Sequence, residues 1–142
     1  MNMKVMYHSS TGNTKRIAEA IAETLDIKAE PIGAAALSEA VDLLFLGDGV
    51  YFGKPNKETV RFIQQLNPAI VKNVAVFATY GGQANIGEKL KELLQSKQLH
   101  VVGEPFICKG KAWGILNRGE PNADCLSEAC RYAESITANV NL

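Results

Sequence analysis

The chain has 142 residues, 46% of them apolar and 21% charged, which suits one domain over residues 1–142 with an ordinary core and excludes a disordered chain. Fifteen Lys plus Arg balance fifteen Asp plus Glu, so there is no global field for holding nucleic acid or an anionic membrane surface. Apolar runs such as Leu43-Leu44-Phe45-Leu46 are far too short to span a bilayer, and Met1 to Lys4 leads into an apolar stretch without a signal-peptide pattern.

Two periodicities then alternate. Met3 to Tyr7 is short and apolar-rich and predicts a first strand. Asn13 to Leu25 places Ile17, Ala18, Ile21, Ala22 and Leu25 on one face, the spacing of an amphipathic helix. Ile27 to Ile32 predicts a weak second strand, and Pro31 puts it at an edge because proline cannot donate a ladder hydrogen bond. Ala34 to Ala40 predicts a weak helix or turn. Leu43 to Leu46 predicts a buried strand ending at Gly47.

Asn56 is placed to cap a helix that turns Val60, Ile63 and Leu66 inward, with Pro68 closing the stretch. Val74 to Ala78 is a wholly apolar fourth strand. Asn85 and Glu88 have capping-box spacing ahead of a helix with Leu90, Leu93 and Leu94 on its core face. Val101 to Cys108 predicts a fifth strand, broken or bent at Pro105. Asn122 then caps a last helix with Leu126, Ala129, Cys130, Ala133 and Ile136 inward. This alternation implies right-handed crossovers and a doubly wound parallel sheet of order 2-1-3-4-5, helices on both faces. Ligands of such sheets bind at the carboxyl ends of the strands, where strand order reverses.

Cys108, Cys125 and Cys130 match no zinc pattern, and neither His8 nor His100 lies near a cysteine pair, so no metal site is expected. The odd count predicts free thiols in or near the core, in a reducing cytoplasm. Cys125 and Arg131 have the spacing of a cysteine phosphatase, but no glycine lies between them to form an anion loop, and the stretch reads as helix. A phosphate-accepting receiver domain would need an acidic pair after the first strand, and Tyr7-His8-Ser9 stands there instead. Trp113, in the glycine-containing loop from Lys109 to Pro121, reads as local packing.

The loop after the first strand, Ser9-Ser10-Thr11-Gly12-Asn13-Thr14, joins strand directly to helix. Its hydroxyls and amides converge on a helix N-terminus, which carries partial positive charge and free N–H groups. That is the chemistry of a phosphate cradle. It lacks the lysine of a Walker motif, which favours a phosphomonoester over a nucleoside triphosphate. Here the chain resembles the flavodoxin family, whose S/T-x-T-G-N-T loop wraps the phosphate of FMN, and the resemblance extends over the whole strand and helix order.

The resemblance implies two further loops, flanking the flavin ring. After the third strand, Gly49, Val50, Tyr51, Phe52 and Gly53 would lie on one side, with Tyr51 and Phe52 offering aromatic faces. After the fourth, Thr79, Tyr80, Gly81, Gly82 and Gln83 would lie on the other, with Tyr80 the candidate for stacking. Asp48 is the only acid in these loops, and Lys54 and Lys57 lie nearby, which implies a less strongly reducing second electron step than in acidic flavodoxins. The function implied is a monomeric cytoplasmic carrier that shuttles electrons between a reductase and an acceptor protein and is not itself an enzyme. The alternative is an FMN-dependent oxidoreductase of the quinone or protoporphyrinogen dehydrogenase kind.

Overall fold

Alternate side chains of a strand point to opposite faces, so a strand that is apolar throughout needs cover on both sides. The computed structural model shows this cover, and it describes residues 1–9, 12–33, 37–50, 54–80, 85–109 and 123–140. The elements in chain order are β1 (Met3–Tyr7), α1 (Asn13–Thr24), β2 (Ala29–Pro31), β3 (Leu43–Val50), α2 (Lys57–Gln65), β4 (Val74–Tyr80), α3 (Ile86–Ser96), β5 (Phe106–Lys109) and α4 (Ala123–Val140). The five strands form one parallel sheet of order β2-β1-β3-β4-β5, as the sequence pattern implies. Pro31 lies in the edge strand β2.

On one face Val5, Leu43, Phe45, Ala75 and Phe77 meet Ile17, Ala18 and Ile21 of α1 and Ala129, Ala133 and Ile136 of α4. On the other, Met6, Leu44, Leu46, Val74 and Val76 meet Phe62 and Ile63 of α2 and Leu90 and Leu94 of α3. Tyr132 ties α4 to the sheet: its hydroxyl donates to the Val76 carbonyl at 3.1 Å, and its ring lies 5.3 Å from that of Phe106.

Several local expectations change. β3 runs on through Gly47, Asp48, Gly49 and Val50, each paired with β4 from Phe77 to Tyr80. Glycine at 47 permits this, because a Cβ there would overlap the Phe77 ring. Residues 37–40 form no helix, and 34–36 lie outside the described residues. The inner face of α2 carries Thr59, Phe62 and Ile63, while Val60 is only half-buried. Asn56 and Asn85 occupy the N-cap positions of α2 and α3, but neither side chain bonds its own helix. The fifth strand begins after Pro105, with Val101 making an isolated bridge to Val74. Asn122 lies outside the described residues.

The cysteines also depart from expectation. Cys108 at the end of β5 and Cys125 in the first turn of α4 form a disulfide, their Cα atoms 6.2 Å apart, and Cys130 is the free thiol. Packing α4 against α1 and β5 brings its first turn back to the strand that precedes it. A separation of 17 residues does not announce that return in the sequence.

Candidate functional site

The carboxyl ends of β1, β3 and β4 converge at the N-terminus of α1. Gly12 precedes the helix in a left-handed conformation, φ +90°, which glycine adopts without steric cost. Its N–H donates to Ser9 Oγ at 2.9 Å, so a hydroxyl closes the approach to the helix. A Cβ at Gly12 would meet open space, and no acidic side chain occupies the first turn of α1. The backbone donors of that turn and the helix dipole therefore face a position that no carboxylate of the helix fills.

Beneath this turn lies a buried polar knot. Thr14 and Thr79 are 1% and 0% exposed, and their hydroxyl oxygens are hydrogen-bonded at 2.7 Å. The bond fastens the start of α1 to the end of β4. Gly49 of β3 lies against the pair, and a Cβ there would stand 2.5 Å from Thr14 Oγ1 and 2.7 Å from Thr79 Oγ1. Only a residue without a side chain lets β3 pass this close.

The next residue back, Asp48, is fully buried and points inward, not toward a loop surface. Its Oδ1 accepts from Gly49 N–H at 2.8 Å and from the Asn56 side-chain amide at 2.7 Å; its Oδ2 accepts from Asn56 N–H at 2.9 Å. The Asn56 amide also donates to the Gly49 carbonyl at 2.8 Å. Asn56 thus clamps the end of β3 to the start of α2. Burial pushes the Asp48 carboxyl above its ordinary value, and the hydrogen bonds from Asn56 and Gly49 oppose that rise. Lys54 and Lys57 are exposed.

The structure therefore brings together Ser9, Gly12, Asn13, Thr14, Gly49 and Thr79 of the expected site. Asn13 and Thr14 are buried rather than presented at the surface. Val50 and Tyr80 pair across β3 and β4, and Tyr80 is half-buried against the core shared with α2 and α3. Ser10, Thr11, Tyr51, Phe52, Gly53, Gly81, Gly82 and Gln83 lie outside the described residues, as does Trp113. Sequence reasoning missed the inward role of Asp48 with Asn56. The signal available was an acid inside an otherwise apolar strand run, eight residues before an asparagine. No helix among the described residues is long and apolar enough to cross a membrane, and these residues hold no metal-binding cluster of His, Cys, Asp or Glu.

The flavodoxin domain family model matches residues 4–118. An uncharacterized protein of Methanocaldococcus jannaschii is 32% identical over 139 residues, covering 89% of this chain and 91% of the relative. The flavodoxin-like domain-containing protein BilS of Clostridioides difficile is 33% identical over 123 residues, covering 78% of this chain and 67% of the relative. Among solved structures, oxidised flavodoxin 2 from Bacillus cereus superposes with a TM-score of 0.75 at 18% identity, over 98% of this chain and 99% of that one. The loop at the start of α1, the strand order and these similarities agree: the chain belongs to the flavodoxin domain family.

Proposed function

We propose that the protein binds FMN and carries electrons between a reductase and an acceptor protein. The observation that carries this reading is the start of α1. There a left-handed glycine, whose N–H is held by the Ser9 hydroxyl, starts a helix with no acidic side chain in its first turn, at the carboxyl end of β1. The position lies beside the β1–β3 neighbour pair, where the strand order reverses. The donor set is neutral and rich in hydroxyl and amide groups, which suits a phosphomonoester.

Ser9, Gly12 and the first turn of α1 would hold the phosphate, with Ser10 and Thr11 of the same loop. The Thr14–Thr79 bond fixes the helix start against β4 so that these donors need no rearrangement. The strand ends at Gly49–Val50 and Thr79–Tyr80 lead into the two segments that would flank the ring. Bound flavin supplies the electron chemistry. The chain's own residues bind and orient it and exclude water. Action as a monomer belongs to the same reading, whereas the Cys108–Cys125 disulfide removes the free-thiol argument for a reducing cytoplasm.

The test is the visible spectrum of the purified protein and the identity of the released cofactor. Apoprotein should bind FMN about tenfold or more tightly than riboflavin, because the phosphate makes charge-assisted bonds that riboflavin lacks. A colourless protein that takes up neither compound refutes the reading. Sustained turnover with a quinone or NAD(P)H, without a protein partner, would instead make it the oxidoreductase of the alternative reading.

A further inference from the structure

His8 stands at the end of β1, directly before Ser9, and none of the roles above uses its ring. Its backbone N–H donates to the Gly47 carbonyl at 3.0 Å, which seats the ring where β1 meets β3. Nδ1 lies 3.5 Å from Oδ1 of Asp48, and Nε2 lies 3.7 Å from Oε2 of Glu58. The Asp48 side chain is fully buried, whereas that of Glu58, in the first turn of α2, is 62% exposed. His8 Nδ1 is itself shut off from solvent and has no hydrogen-bond partner among the described residues. The ring thus bridges a buried carboxylate and a solvent-facing one.

A neutral imidazole has one N–H and can offer a proton to only one of two carboxylates. The imidazolium has two. Among the described residues the charged groups paired with the ring are Asp48 from β3 and Glu58 from α2; Arg61 follows three residues later in α2. Among the described residues no Lys or Arg pairs with Asp48, so His8 is the side chain able to bring it positive charge. A shortening of about half an ångström would turn the 3.5 Å approach into a hydrogen bond.

We infer that His8 is a proton-operated positioning residue: as imidazolium it joins Asp48 at the end of β3 to Glu58 at the start of α2 and tightens the Asp48–Asn56 clamp. The proton comes from solvent and rests on the ring; no bond to carbon is made or broken. Because the clamped strand end abuts the Thr14–Thr79 knot through Gly49, proton uptake and anion binding at the α1 turn reinforce each other. The consequence for flavin rests on the reading that the chain binds FMN. The link between His8 and the clamp does not.

Two measurements separate these. In NMR titration of the apoprotein, the His8 ring signals and the Asn56 side-chain amide signals should share one midpoint. Asp48→Asn should uncouple them, and Glu58→Gln should change both together. FMN dissociation constants measured by fluorescence from about pH 5.5 to 8 should then show a wild-type gain at low pH that His8→Gln lacks. The expected difference is roughly tenfold in the dissociation constant. The FMN phosphate titrates in this range in both proteins, so the difference between them is the readout. Asn56 signals that ignore the His8 titration overturn the proposal, as does a His8→Gln protein that keeps the wild-type pH profile. A protein that binds no FMN at any pH refutes the flavin reading, and the NMR arm still decides the role of His8.

Discussion

At the scale of single residues, the site depends on one position without a side chain. Gly49 lets β3 lie against the hydroxyls of Thr14 and Thr79. Gly49→Ala should force that pair apart and lower stability by about 1–3 kcal/mol, the usual cost of overpacking. Denaturant titration of the apoprotein measures it, and an unchanged midpoint would show that the knot yields freely. Asp48 gives a pH dependence of defined sign. Its folded-state carboxyl is raised by burial, so the folded protein holds a proton that the unfolded chain has already released. The contribution to stability is present below the ordinary carboxylate value and is lost as pH rises through the raised one. In a His8→Gln background, which removes the His8 proton, melting temperatures relative to the same background with Asp48→Asn should therefore increase as pH falls from neutral toward about 4. A difference independent of pH would contradict the burial argument.

At the scale of elements, β5 and α4 are joined twice, by the contact of Tyr132 with Phe106 and by the Cys108–Cys125 bond. The bond closes a loop of 17 residues, worth about 3 kcal/mol through restriction of the unfolded chain. Cys125→Ser should lose about that much under oxidising conditions, and reductant should bring wild type down to the same level. Denaturation with and without reductant checks both, and a wild type indifferent to reductant would mean that the two thiols remain unpaired in solution. The strand continuation past Gly47 belongs to this scale too. The residues from Gly47 to Val50 look like the start of a loop in the sequence, because glycine is a poor strand former. They extend because they pair with Phe77 to Tyr80 of β4, and positions 47 and 49 are glycine because Phe77 and the threonine pair occupy the space a side chain would need. Asn56 caps no helix because its side chain is held by Asp48 and the Gly49 carbonyl.

At the scale of the whole molecule, the balance of fifteen basic and fifteen acidic residues bears on encounter with partners. Without a net field, association relies on local surface contacts more than on long-range steering. On-rates with a protein electron donor should change less than about tenfold between low and moderate salt, as stopped-flow flavin reduction would show. A steep fall with salt would point instead to a strongly charged docking patch. The expected less strongly reducing second electron step rests on the scarcity of acids in the flanking loops beside Lys54 and Lys57, and potentiometric titration giving a very low second potential would count against it. The described arrangement removes Asp48 from that argument, since its carboxylate is buried and hydrogen-bonded to Asn56 and Gly49.

The sequence by itself determined the alternation of strand and helix, the edge position of Pro31, the two-sided core and the glycine turn that starts α1. Each of these rests on local signals: hydrophobic period, proline and glycine placement, and hydroxyls preceding a helix. Ser9, Gly12 and Thr14 were legible because they are neighbours in the chain. Only the tertiary structure decided that Thr14 bonds Thr79, that Cys108 meets Cys125, and that His8 faces Asp48 and Glu58. Those partners come from different strands and helices. Parallel crossovers bring them together as both faces of the sheet are buried, and which side chains then meet depends on packing between elements far apart in the chain, not on any local pattern.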